Sequence, residues 1–248
     1  METEIINIVF DKVDSTNNVI KRFTVKRGEI LTVAAGYQTG GYGQKGNKWE
    51  SEEGKNLLFS MIFFADSIPA SQQFLVSQAV SLSIREALIH YVPHEEKLTI
   101  KWPNDIYYED KKICGFLVTC DIEENHLGRC TIGIGLNVNQ ESFSSDAPNP
   151  VSLIQITNHP HDITEVKLHI LRCFRQYFST LKDKRFSCIQ RAYESHLYHR
   201  DGFHSYKDSN GTFQAEIMHI SPQGILTLQD KDGHTRHYAF KEVVQMPD

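Results

Sequence analysis

The hydrophobic positions of this 248-residue chain change period several times. Residues 5–10, "IINIVF", form a short apolar run that predicts a first strand. "DSTNNVIKRF" comes next, where Asp14 or Ser15 can cap a short helix whose apolar positions are Val19, Ile20 and Phe23. Residues 30–35 and the compact run "LLFSMIFF" at 57–64 predict two further strands, with a glycine-rich segment between them. Leu75, Val76, Ala79, Val80, Ala87, Leu88 and Tyr91 recur at helical spacing, which predicts a helix over 69–91 with Pro69 in its first turn. Residues 98–102 and 113–119 read as strands flanking a polar turn, and 129–138 as another strand. After the polar loop "NQESFSSDAPNP", Ile170, Leu171, Phe174, Phe178 and Leu181 mark one face of a helix over 162–181, where Asp162 and Glu165 resemble a capping box. A shorter helix is expected over 189–197.

From Gly202 the pattern changes. Turn signals at Asn210-Gly211, Pro222-Gln223-Gly224 and Asp232-Gly233 divide four short alternating segments, the spacing of a small antiparallel barrel or sheet. A boundary near 199–202 divides the chain into residues 1–200 and 201–248.

Composition narrows the function classes. Hydrophobic residues are 40% and charged residues 23%, ordinary for a soluble globular protein. A net charge of −5 speaks against broad electrostatic binding of nucleic acid. The 5 cysteines are scattered without a C-x-x-C pair, so reduced thiols in a cytoplasmic protein are expected rather than a disulfide framework. The N-terminus lacks a basic signal-peptide region, and no apolar run approaches the ~20 residues of a membrane helix. His196 and His199 share a helical face but lack a third ligand, so the metal site is left unknown.

Gly41, Gly43 and Gly46 in "GYQTGGYGQKGNKWES" spell a dinucleotide-binding fingerprint. A dinucleotide loop must open a helix, because the pyrophosphate sits on the helix N-terminus; here the glycines precede a strand. Gly46 is followed by Asn47, so the loop is not a P-loop either. A protein kinase would need H-R-D and D-F-G, which the chain lacks. What remains is a loop whose backbone can approach phosphate, beside Lys45, Lys48 and the flat indole of Trp49.

"KWPNDIYYEDKKICGFLV" adds a cation, an amide and a carboxylate (Lys101, Asn104, Asp105) at a strand end, then Lys111, Lys112 and Gly115 on the next strand. Together with "DSTN" at 14–17, the glycine loop from Gln38, and "IGIGLNVN" from Ile132, this resembles the biotin–protein ligase family. The last segment, "GTFQAEIMHISPQGILTLQDKDG", is similar to that family's small SH3-like domain.

The resemblance implies an α+β fold: a mixed, mostly antiparallel, class II synthetase-like catalytic domain with helices, and after it an SH3-like β-barrel. It implies that biotin and ATP, with Mg²⁺, give biotinyl-5′-AMP, and that biotin then passes to a lysine of a biotin carboxyl carrier protein of acetyl-CoA carboxylase or another carboxylase. The biotin-binding residues it implies are Ser15, Thr16, Asn17, Gln38, Gly41, Tyr42, Lys112 and Gly115. Gly43, Gln44, Lys45, Gly46, Asn47, Trp49, Asn104 and Asn137 are implied for ATP and the adenylate, with Trp49 stacked on adenine. Lys112 is the implied catalytic cation between the biotin carboxylate and the α-phosphate. Asp105 either orients or deprotonates the incoming lysine or helps hold metal, and Lys101 either contributes charge or pairs with a neighbour.

Two departures matter. Relatives carry arginines as G-R-G-R-R-G-R where this chain has Tyr42, Gln44, Lys45 and Asn47, which predicts a weaker grip on the adenylate. The first strand falls within "METEIINIVF", which predicts a form without the N-terminal DNA-binding domain that some members carry and, with the acidic net charge, no DNA partner; the lack of a long apolar run predicts no membrane partner. A homodimer is left open. The competing readings are a lipoate ligase or transferase of related fold and a non-catalytic binding protein that kept the fold.

Overall fold

A computed structural model of the protein describes residues 4–44, 47–144 and 149–246. In chain order the elements are β1 (Glu4–Val13), α1 (Thr16–Ile20), β2 (Glu29–Gln38), β3 (Leu57–Phe64), α2 (Phe74–Ile89), β4 (Leu98–Lys101), β5 (Asp105–Tyr108), β6 (Lys111–Glu123) and β7 (His126–Leu136). They continue with α3 (Leu153–Thr157), α4 (Ile163–Lys182), α5 (Phe186–Ser195) and the strands β8 (His204–Asp208), β9 (Gly211–Ile220), β10 (Leu226–Asp230), β11 (Thr235–Tyr238) and β12 (Val244–Gln245). A seven-stranded sheet has the order β1-β2-β3-β7-β6-β5-β4, and a second, five-stranded sheet has the order β11-β10-β9-β8-β12. Among the described residues only β1 and β2 pair in parallel; every other neighbouring pair of strands is antiparallel. The first sheet is thus mixed and mostly antiparallel, and the second is a small antiparallel sheet.

Strand alternation sends successive side chains to opposite faces of the large sheet. Phe59, Met61 and Phe63 of β3, Phe116 of β6 and Ile132 and Ile134 of β7 enter the main core with residues of α2, α4 and α5. Phe63 packs on Phe174 and Phe178 of α4, both at 5.0 Å between ring centroids. The opposite face is covered differently. Over β2 and β3 it carries a small second core in which Val19 and Ile20 of α1 pack with Leu31, Val33 and Ile62. Over β6 and β7 the same face carries Gly115, Gly133 and Gly135.

Several expectations need correction. The helix expected over 69–91 is shorter: Pro69 is extended and bridged to His126, a 3₁₀ turn spans Ala70–Gln72, and α2 begins at Phe74. The polar turn expected between residues 102 and 113 contains β5, which pairs with both β4 and β6. The loop after β7 leads into α3, whose start is a complete capping box of Ser152 and Gln155. At α4, Asp162 caps alone, accepting from the Thr164 and Glu165 amides. The second sheet has a fifth strand, because residues 244–245 return to pair with β8. The expectation of reduced thiols fails at one pair: Cys120 and Cys130 face each other across β6 and β7 with Cα atoms 4.1 Å apart and are joined as a disulfide. Spacing along the chain does not reveal that register.

Candidate active site

The glycine loop leaves β2 and returns as β3, so it lies between two strands. It folds back on itself: Tyr42 bridges Lys48, and the Gly43 amide donates to the Asn47 carbonyl at 3.0 Å. Below it, the glycine face of β6 and β7 forms the floor of a cavity of about 920 Å³. Gly115 and Gly135 are register partners, and Gly133 pairs with Ser60 of β3. A side chain on any of the three glycines would collide with what now covers it. A Cβ on Gly133 would lie 2.5 Å from Asn17, one on Gly115 2.9 Å from the Lys112 amine, and one on Gly135 would run into the Trp49 indole. The absent side chains let Asn17, Lys112 and Trp49 lie directly against the strands, where they line the cavity.

One end of the cavity is a polar cluster. Gln38 Oε1 accepts from the Thr16 amide at 2.7 Å and from the Thr16 hydroxyl at 3.0 Å. Ser60, buried on β3, has its hydroxyl 2.9 Å from the Thr16 hydroxyl and 3.1 Å from Asn17 Oδ1, two acceptors for its one proton. Ser15 and Thr16 are themselves buried at the start of α1. This end offers fixed donors and acceptors to a neutral polar ligand edge.

The other end carries the charges. Lys112 Nζ is 2.7 Å from Asp105 Oδ1, and it stands 5.8 Å from the centre of the Trp49 ring. Asn104 accepts from Gln44 Nε2 at 3.2 Å and donates to the Phe116 carbonyl. Asn137 donates to the Val151 carbonyl at 3.0 Å. Trp49 Nε1 and Asn137 Oδ1 are buried polar atoms without a hydrogen-bond partner among the described residues. Such atoms carry a desolvation cost that a ligand group can relieve.

Most of the residues anticipated from the sequence therefore line one cavity: Ser15, Thr16, Asn17, Gln38, Tyr42, Gly43, Gln44, Asn47, Trp49, Lys101, Asn104, Asp105, Lys112, Gly115 and Asn137. Gly41 stands behind the wall, its carbonyl accepting from the Trp49 amide at 3.1 Å. Lys45 and Gly46 lie outside the described residues. Lys101 is turned toward the second sheet, where its amine donates to the Gln245 carbonyl at 3.2 Å and lies 4.7 Å from the Tyr107 ring centre. Burial holds its pKa below that of an ordinary lysine, against the pull of Asp105. Sequence reasoning missed Ser60, buried in an apolar strand, and the contribution of Leu226, Val243 and Val244 from the second sheet to the cavity wall. It also missed the floor, whose signal lies in "IGIGLNVN": Gly-x-Gly on one strand places both glycines on one face.

A metal has no protein cage here. The one group of three metal-capable side chains among the described residues is Asp230, Asp232 and His234, which do not line the cavity. Asp105 is the carboxylate beside Lys112. Glu50 also lines the cavity but accepts from the Ser144 amide and hydroxyl, so this donor set fits a Mg²⁺ arriving on nucleotide phosphates rather than one bound by the protein alone.

The cavity thus joins a neutral polar end to a charged end beside an indole N–H without a partner among the described residues, and comparison with known proteins places the chain in a family. The sequence profile of the biotin/lipoate A/B protein ligase family matches residues 9–137, and the chain belongs to that family. Among individual relatives, it is 31% identical over 220 residues to the bifunctional ligase/repressor BirA of Bacillus subtilis, and 30% identical over 216 residues to that of Bacillus spizizenii. Each match covers 85% of this chain but 65% of the relative, so the chain spans about two thirds of their length. A solved structure of the biotin protein ligase of Aquifex aeolicus in complex with biotin and ATP superposes with a TM-score of 0.79 at 25% identity, covering 98% of this chain and 99% of that one.

Proposed function

We propose that this protein is a biotin–protein ligase. It activates biotin with ATP to biotinyl-5′-AMP and then transfers biotin to a lysine of a biotin carboxyl carrier protein. The observation that carries the reading is the Lys112–Asp105 pair standing beside Gly115 at the charged end of a cavity whose other end is the Thr16–Gln38 cluster. The relatives named ligases and the neighbour solved with biotin and ATP support it.

In the first step a carboxylate oxygen of biotin attacks the α-phosphorus, the bond to the bridging oxygen breaks, and pyrophosphate leaves. Two anions must meet, so a cation held between them lowers the barrier electrostatically. Lys112 is that cation, and Asp105 fixes its amine over the floor. The Thr16–Gln38–Ser60 cluster takes the polar ring edge of biotin, whose length then runs past Asn17 toward Lys112. Trp49 supplies the flat face for adenine, and Asn104 and Asn137 supply polar contacts to the nucleotide half. The loop from Gly41 covers the adenylate and keeps water from a hydrolysable anhydride. A Mg²⁺ arriving with ATP would supply neutralisation of the phosphate charge, with Asp105 the carboxylate beside Lys112 to meet it.

In the second step the carrier lysine nitrogen attacks the acyl carbon, the bond to the AMP oxygen breaks, and AMP leaves. The attacking ammonium must first lose a proton, for which Asp105 is the carboxylate at hand. In this reading residues 1–200 form the catalytic domain and 201–248 a small second domain, and the enzyme works in the cytoplasm. Among the described residues no helix is long and apolar enough to cross a membrane.

The test is ATP–pyrophosphate exchange dependent on an added acid. Exchange with biotin and little with lipoate is expected. Exchange with lipoate alone would overturn the biotin assignment, and exchange with neither would favour a binding protein.

A further inference from the structure

The segment Lys101–Asp105 is a hairpin turn that lines the cavity and ties it to the second sheet. Lys101 and Asp105 are register partners at the ends of β4 and β5, with Trp102, Pro103 and Asn104 between them. On the cavity side, Asp105 holds Lys112 at 2.7 Å, and Asn104 bonds to Gln44 and to the Phe116 carbonyl. Lys101 and Trp102 line the same cavity and also reach the second sheet: Trp102 Nε1 donates to the Gly224 carbonyl at 3.0 Å, and Lys101 Nζ to the Gln245 carbonyl at 3.2 Å. Both acceptors belong to the C-terminal sheet region.

That seam is closely fitted. The Trp102 ring meets Phe240 edge-on at 5.4 Å, and Phe240 lies 5.8 Å from Phe74 at the start of α2. Gly224 sits in the β9–β10 turn with φ of +91°, and a Cβ there would lie 2.8 Å from Phe74 and 3.0 Å from Phe240. The Phe74 amide donates to the Pro222 carbonyl of the same turn at 3.3 Å. Gln245 also donates from its side chain to the Tyr198 carbonyl at 3.1 Å. Three residues separate two paired strand ends, so a displacement of Trp102 cannot be absorbed before Asp105.

We infer that Trp102 and Lys101 are positioning residues: the C-terminal sheet, seated on them, sets the hairpin turn and thereby the Asp105–Lys112 pair. This rests on the role given to Lys112 above. It assigns the two halves of "KWPND" different work. Lys101 and Trp102 take hold of the second sheet, while Asn104 and Asp105 face the reacting groups. The C-terminal sheet is then part of the adenylation machinery and not only a cap on the catalytic sheet.

The test is biotin-dependent ATP–pyrophosphate exchange by the full chain carrying Trp102→Phe or Gly224→Ala, run well below each variant's thermal midpoint. Trp102→Phe keeps an apolar ring against Phe240 and removes only the donor to Gly224. Gly224→Ala alters the seam from the far side, at a residue that does not line the cavity. Both are expected to lower kcat by about 10- to 100-fold, as misplacement of catalytic groups does, with KM for biotin within about twofold. A seam that only stabilises the fold would lower the thermal midpoint and leave kcat of the folded protein unchanged; that result in either variant would overturn the inference. So would a raised KM at constant kcat, which is the mark of a direct ground-state contact. If the unaltered chain itself shows no exchange with biotin, the functional reading fails; if it does and both variants match it, the coupling fails.

Discussion

The two faces of the seven-stranded sheet are built from the same strands and do opposite things. On β3 and β7 one set of alternate positions is Phe59, Met61, Phe63, Ile132 and Ile134, nearly all fully buried under the helices. The other set includes Ser60, Gly133 and Gly135, over which Asn17 and Trp49 lie. The first face removes apolar area from water and supplies stability. The second withholds side chains, keeps polar atoms buried without partners, and so leaves stability unclaimed where a ligand can bind. A period of two along a strand is enough to separate folding from chemistry.

That division can be broken from either side. Phe63→Ala should cost about 3–5 kcal/mol of stability, the range for a buried aromatic packed against two others, with exchange activity per folded molecule preserved. Chemical denaturation alongside active-site titration checks it, and a loss of activity per folded molecule would mean the faces are not independent. On the other face, Gly135→Ala should raise KM for ATP by about tenfold or more, because the new methyl displaces the indole intended for adenine. A KM within twofold would remove Trp49 from that role.

A smaller effect is expected at the loop. Gln44 bonds Asn104 and has no charge with which to grip an anion, so Gln44→Arg should slow release of biotinyl-AMP by about tenfold, the size of one charge-assisted contact. Release measured by filter binding or fluorescence checks this; an unchanged rate would show that the loop holds the adenylate without arginine.

The mildest prediction concerns the second sheet. The Tyr238 hydroxyl, at 2.8 Å, lowers the pKa of Asp208, and the Arg236 guanidinium, at 2.9 Å, lowers that of Asp230. A carboxylate with a lowered pKa contributes stability above its ordinary value of 3.8 and loses that contribution as pH falls through the lowered value. The second sheet should therefore loosen below about pH 3.8, and Asp230→Asn should flatten the response. Fluorescence of Trp102, which donates to Gly224 of that sheet, reports it in a Trp49→Phe background.

The large pieces of the fold are legible in the sequence, and the small ones are hidden for identifiable reasons. The strand at 57–64 is legible to the residue, because seven apolar residues of eight between polar flanks leave few alternatives. β5 is hidden because Asp105–Tyr108 sits among charged neighbours, and α3 because five residues show no period, although Ser152 and Gln155 spell its cap. The setting of the glycine loop between strands is readable from the apolar run of β3 downstream of it. Individual residues of the cavity are readable from resemblance, since type and spacing carry through. Lys101 is not: proximity to Asp105 in sequence gives no sign that its amine turns toward Gln245. The pairing of Cys120 with Cys130 depends on register, which no spacing states.

The most direct measurement is biotin-dependent ATP–pyrophosphate exchange by Lys112→Ala, with its thermal midpoint taken on the same sample. Lys112 is partly exposed at the cavity and pairs with Asp105, so its loss should lower exchange by about 10²- to 10³-fold while the midpoint moves by only a few degrees. Exchange close to that of the unaltered protein, in a chain that remains folded, would contradict the account.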